Sequence, residues 1–165
     1  MTEKQYISFE QMKGHCIEII RQMSNDKWCP ELIIGITRGG ALPAVMISQY
    51  LGVKMVGLDV SLRDSAEYGT ESNFWAAELA QSGKRILIVD DINDTGATIN
   101  WIMNDWDYAG DSIKWNDDVR FAVVIDNEGS QAKVTPSYSS LTINKTFKDV
   151  WIIFPWEDFW KAQNE

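Results

Sequence analysis

Residues 86–98, Ile-Leu-Ile-Val-Asp-Asp-Ile-Asn-Asp-Thr-Gly-Ala-Thr, constrain the fold more than any other stretch of this chain. Ile86 to Val89 form an unbroken apolar run. Such a run, without polar alternation, suits a strand covered on both faces, as in a parallel sheet flanked by helices. Asp90 and Asp91 end it, and Asp94-Thr95-Gly96-Ala97-Thr98 is a small-residue turn that leads into an amphipathic segment. A buried strand, an acidic pair and a turn opening a helix make one half of a strand–helix–strand unit.

The rest of the chain repeats that rhythm. Ser8-Phe9-Glu10-Gln11 reads as a capping box, and Met12, Cys16, Ile19, Ile20 and Met23 follow at helical spacing to a helix end near Asn25. Leu32–Ile36 reads as a strand, Ala41–Leu51 as a helix with Pro43 in its first turn, and Val53–Val60 as a strand. Residues 61–83 are polar and weakly periodic and read as a loop or hairpin able to close over a site. Arg85–Asp90, Arg120–Ile125 and Val150–Phe154 supply further strands, and Thr98–Tyr108 a helix. Short strands are possible around 133–135 and 141–143. The expected fold is therefore a single α/β domain over residues 1–165, with a mainly parallel sheet flanked by helices.

In such a sheet ligands sit at the carboxyl ends of the strands. Two polar motifs fall there and should face one cleft: Asp90–Thr98, and Thr37-Arg38-Gly39-Gly40 after the first of these strands. At a helix start, unpaired N–H groups and the helix dipole favour an anion. Adjacent carboxylates can hold ribose hydroxyls or a Mg²⁺ that a phosphate also binds. Paired glycines admit an anion close to the backbone, and the Arg38 guanidinium can grip phosphate at two points. A phosphorylated sugar fits this combination. With no ligand bound, Asp94 or Thr95 could instead cap the helix.

A formal charge of −9 disfavours nucleic acid and acidic membranes as partners. No apolar run approaches the ~20 residues of a membrane helix. The start of the chain shows no charged-then-apolar leader pattern, and Cys16, Cys29 and His15 lack metal-ligand spacing. A reducing cytoplasm is the expected compartment. His15 is expected to be a packed or half-exposed helix residue. Three of the eight tryptophans lie in residues 151–160. Trp156, Phe159 and Trp160 read as a core-side aromatic cluster, while Trp151 offers a flat face on which a base could stack.

Asp90-Asp91, a short spacer and Asp94-Thr95-Gly96-Ala97-Thr98 resemble the phosphoribosyl pyrophosphate (PRPP) motif of type I phosphoribosyltransferases. Thr37–Gly40 resembles that family's pyrophosphate loop. Trp151-Ile152 followed by Pro155-Trp156-Glu157 is similar to the carboxyl-terminal purine-site segment of the bacterial xanthine-guanine enzymes. The resemblance implies transfer of a 5-phosphoribosyl group from PRPP to a nucleobase, a 6-oxopurine, in nucleotide salvage. It implies Mg²⁺ held by Asp90 and Asp91, with the 5′-phosphate cradled by Asp94, Thr95, Gly96, Ala97 and Thr98. Pyrophosphate would lie on Thr37, Arg38, Gly39 and Gly40, with Asp94 and Arg38 catalytic. It further implies a cis Thr37–Arg38 peptide, a base site at Asn127, Trp151 and Ile152, a hood over 61–83, and a homodimer or homotetramer. Asn127 stands where the resemblance implies a lysine. Its amide can meet a carbonyl or an amine but carries no charge. A PRPP- or nucleotide-binding regulator and a catalytically weak relative remain open alternatives.

Overall fold

The computed structural model describes residues 2–60, 62, 74–108 and 110–161. Its elements are β1 (Glu3–Tyr6), α1 (Phe9–Asn25), β2 (Leu32–Thr37), α2 (Ala41–Leu51), β3 (Met55–Asp59), α3 (Phe74–Gln81), β4 (Ile86–Asn93), α4 (Ala97–Asp107), β5 (Val119–Asn127), β6 (Tyr138–Ile143) and β7 (Val150–Ile153). Five strands form one sheet in the order β3-β2-β4-β5-β6, and every pairing in it is parallel.

The apolar run of β4 explains the layering. Successive strand side chains point to opposite faces. Leu87 and Val89 join a cluster with Ile33 of β2, Met12, Cys16 and Ile19 of α1, and Ala44 and Ile47 of α2. Ile86 and Ile88 join a second cluster with Ile34, Ala76, Ala77 and Ala80 of α3, and Ile99, Ile102 and Trp106 of α4. Both faces of the sheet are therefore covered by helices. No helix among the described residues is long and apolar enough to cross a membrane.

Helix α1 begins as its sequence requires. Gln11 N–H donates to the Ser8 hydroxyl at 3.1 Å, and the Gln11 side-chain oxygen accepts from Ser8 N–H at 2.8 Å. His15 is half-buried, with Nδ1 2.8 Å from the Ser140 hydroxyl on β6.

The architecture departs from expectation in four places. Val150–Ile153 does not extend the main sheet; it pairs in parallel with Glu3–Tyr6, a strand that was not expected, in a separate two-stranded sheet. Strand β4 runs through Asp90 and Asp91 to Asn93, because Asp90, Ile92 and Asn93 keep their register with β5. Residues 133–135 are not a strand, whereas the strand foreseen at 141–143 begins earlier, at Tyr138. Of the loop expected over 61–83, residues 61 and 63–73 lie outside the described residues, and residues 74–81 are helix α3. That helix buries small side chains, Ala76, Ala77 and Ala80, so its apolar face is weak in sequence.

Removing the α1 cap by Ser8→Ala should cost about 1 kcal/mol. In urea unfolding the midpoint should fall while the slope stays unchanged.

Candidate active site

Loop 37–40 leaves the end of β2 and turns directly into α2. The Thr37–Arg38 peptide is cis. Gly40 N–H donates to Ile36 O at 2.7 Å, and Gly40 O accepts from Ala44 N–H at 3.0 Å. Both glycines lie against β4. A Cβ on Gly39 would come within 2.0 Å of Asp91 Oδ2, and one on Gly40 within 2.2 Å of Val89 O. The two polar motifs thus touch, and side chains at 39 and 40 would hold them apart. Two hollows open beside this contact. One, of about 440 Å³, is lined by Asp90 to Thr98. The other, of about 740 Å³, is lined by Arg38, Gly39, Trp156, Glu157 and Trp160. Asp91 borders both. Arg38 is exposed, and the Thr37 hydroxyl donates to Leu58 O at 3.4 Å.

The turn after β4 is braced from behind. Gly96 has φ +88°, a conformation that glycine adopts freely, and a Cβ there would run into the backbone of Gln131 and Ala132. Gln131 N–H donates to Thr95 O at 2.9 Å. The Asn100 side chain donates to Gln131 O at 2.8 Å and accepts from Lys133 N–H at 2.7 Å. Gly96 caps α4 without a side-chain bond, while the Thr95 hydroxyl accepts from Ala97 N–H at 3.2 Å. Asp94 does not cap the helix. Its carboxylate Oδ2 is 2.8 Å from Lys145 Nζ. Its main-chain oxygen accepts from Asn127 Nδ2, also at 2.8 Å.

A family model described as phosphoribosyl transferase domain matches residues 4–157. The chain belongs to this phosphoribosyltransferase family. A xanthine-guanine phosphoribosyltransferase of Cereibacter sphaeroides is 31% identical over 136 residues, which span 81% of this chain and 71% of that protein. A purine phosphoribosyltransferase from Pyrococcus horikoshii is structurally similar, with TM-score 0.66 and 25% identity, covering 93% of this chain and 94% of its own. A xanthine-guanine-hypoxanthine phosphoribosyltransferase of Helicobacter pylori shares the fold at TM-score 0.71 and 17% identity, covering 98% and 97%. The chain is a phosphoribosyltransferase with the mainly parallel sheet of that family.

The residues expected on the base side of this phosphoribosyltransferase separate. Trp151 is 50% exposed and keeps a face open. Ile152 turns into the core beside Ile7 and Phe154, so only its main chain is left to face a ligand. Asn127 is 7% exposed, and both the nitrogen and the oxygen of its amide have partners within the protein. Besides Asp94 O, its Nδ2 lies 3.5 Å from Asp94 Oδ1, and its Oδ1 accepts from Gly129 N–H at 3.2 Å and Lys145 N–H at 3.1 Å. An amide has two donors and one oxygen with two lone pairs, and this one spends most of them on bracing the turn. Lys145, which sequence reasoning overlooked, comes from the connection after β6 and leaves no local signature. Trp156 stacks on Phe154 with ring centroids 5.0 Å apart. Phe159 and Trp160, expected core-side, are exposed.

The acidic pair is electrostatically strained. Burial, and then the Asp91 charge, pushes Asp90 well above the usual carboxylate range. Burial pushes Asp91 up to about 6, against the hydrogen bond that it accepts from Ile92 N–H. The Glu157 charge adds to that rise. The folded state thus holds these protons more tightly than the unfolded chain, so the pair costs stability as pH rises from the ordinary carboxylate range through about 6. The thermal-midpoint advantage of Asp91→Asn over wild type should therefore grow across that window.

Gly39→Ala and Gly40→Ala should differ in kind. The first meets a side-chain carboxylate and should displace Asp91 while far-ultraviolet circular dichroism stays unchanged. The second meets main chain and should lower the thermal midpoint.

Proposed function

We propose that this phosphoribosyltransferase moves the 5-phosphoribosyl group of PRPP onto a purine bearing a 6-oxo group, releasing pyrophosphate and a nucleoside 5′-monophosphate. The observation that carries the reading is the contact of Gly39 and Gly40 with Asp91 and Val89, which sets a pyrophosphate loop beside a phosphate-and-ribose turn. The reactions named for the Cereibacter and Pyrococcus relatives support it.

Each group has a task. N–H groups and hydroxyls of Thr95, Gly96, Ala97 and Thr98 at the start of α4 hold the 5′-phosphate. Asp90 and Asp91 face the ribose hydroxyls. Thr37, Gly39 and Gly40 line the pyrophosphate side, and Arg38 takes up charge as the C1′–O bond breaks. Trp151 offers its open face to the base. With the base as its N7–H tautomer, N9 attacks C1′ and the N7 proton passes to Asp94. Holding N9 in line with C1′ lowers the remaining barrier.

Asp90 and Asp91 fit Mg²⁺. They are adjacent hard oxygen donors whose proton affinities rise because their charges are poorly solvated, which a cation relieves. Among the described residues there is no cluster of three or more metal-ligating side chains, which suits an ion that shares its shell with substrate phosphates. When bound, Mg²⁺ would neutralise pyrophosphate. The family habit of forming homodimers or homotetramers, and a cytoplasmic site of action, complete the reading.

Calorimetric titration with PRPP·Mg²⁺, followed by pyrophosphate release over a panel of bases, tests the function. Binding with release for oxopurines is expected, and binding without release for any base overturns it. Asp94→Asn and Arg38→Ala should each lower kcat/KM by about 100-fold or more. PRPP·Mg²⁺ affinity should weaken as pH falls below about 6, where Asp91 takes a proton.

A further inference from the structure

Among the described residues, the buried polar side chains are Asn93, 5% exposed, and Asn127, 7% exposed. Burying an amide costs stability unless its hydrogen bonds are replaced, so the partners of each show what the burial is for. Asn127 holds Asp94 O. Asn93 has no part in the roles assigned above, although it belongs to the wall of the hollow of about 440 Å³.

Asn93 is the last residue of β4 and stands in register with Asp126 on β5. One step earlier the in-register pair is Ile92 with Ile125, so the pairing of the strands does not itself call for polar side chains. Asn93 Nδ2 donates to Asp126 Oδ1 and to the Ser130 hydroxyl, each at 2.8 Å. A carboxylate only accepts, so it fixes which end of the amide faces it. Both amide donors thus go to the segment 126–130.

The consequence is a closed ring around the turn. From Asn93 the main chain runs to Thr95, whose carbonyl accepts from Gln131 N–H at 2.9 Å. Gln131 leads back to Ser130, whose hydroxyl accepts from Asn93. The same hydroxyl accepts from Ala132 N–H at 3.4 Å, and Ala132 N is the atom that a Cβ on Gly96 would meet at 2.2 Å. Asn93 therefore holds residues 130–132 in place, and these hold Thr95 and Gly96. Main-chain N–H groups bind an anion well only when they already point at one place before it arrives.

We infer that Asn93 is a positioning residue for the phosphate turn: through Ser130 it locks residues 130–132 behind Thr95 and Gly96, and so aims the N–H groups at the start of α4 at a phosphate monoester. This rests on the phosphoribosyl-transfer reading above, which supplies the phosphate.

The two hollows give the test an internal control. Ribose 5-phosphate reports on the turn, and pyrophosphate with Mg²⁺ on the 37–40 loop. Both are titrated calorimetrically into wild type, Asn93→Ala, Ser130→Ala and the double variant. Asn93→Ala should weaken ribose 5-phosphate about three- to tenfold and leave pyrophosphate unchanged. Ser130→Ala, which alters no residue of β4, should act in the same way. The double variant should bind scarcely worse than Asn93→Ala, because both substitutions open the same ring. In turnover, KM for PRPP should rise more than kcat falls. Equal weakening of both ligands overturns the inference, since Asn93 would then only support the fold. Unchanged affinity for ribose 5-phosphate, or additive losses in the double variant, overturns it as well. Ser130→Ala decides the matter if Asn93→Ala does not fold. If wild type binds ribose 5-phosphate yet releases pyrophosphate with no base, the transfer reading fails and the variants still decide this one.

Discussion

The site depends on how closely the β2–α2 loop can lie against β4. Gly39 and Gly40 bring main chain onto the Asp91 carboxylate and Val89 O at distances that leave no room for a side chain. This contact aligns two helix starts, each at the end of a parallel strand, and makes Asp91 a partition between neighbouring hollows. Everything proposed for the phosphorylated substrate follows from it. A gap of one methyl group would separate the two motifs.

The same crowding produces the unusual acidity of the site. Two neighbouring carboxylates at the floor of a narrow cleft are poorly hydrated, and each suffers from the charge of the other or of Glu157. Their raised proton affinities set their charges against the fold as pH rises, although each accepts a main-chain N–H. On the function proposed above, a cation and sugar hydroxyls would supply the solvation that water cannot. Asp94, a few residues on, has a different solution. Lys145 compensates its charge within the protein.

The parts legible in the sequence were those whose information is local. The unbroken run of β4, the acids after it, the glycine turns and the Ser8–Gln11 cap each announce themselves within a few residues, and the structure places all of them as strand end, turn and helix start. Strand β1 was missed because its residues are exposed and polar, and only pairing with β7 makes it a strand. The surroundings of Asn127 were illegible for a related reason. Its environment is made by Asp94 and Lys145, which meet it from distant parts of the chain. The Asp94–Lys145 bond joins positions 51 residues apart, and nothing near either residue signals the other. The small-residue face of α3 carried too little hydrophobic contrast to stand out.

The pairing of β1 with β7 sets Lys4 opposite Trp151, across nearly the full length of the chain. During synthesis, the stretch from β2 to β5 contains both the 37–40 loop and the Asp94–Thr98 turn and emerges as one continuous block. Trp151 takes its place only when the final strand finds the first. A ribosome-bound chain stalled before β7 would thus hold the 37–40 loop and the Asp90–Thr98 turn while β1 still lacks its partner, so the last strand made is the one that gives the first its place.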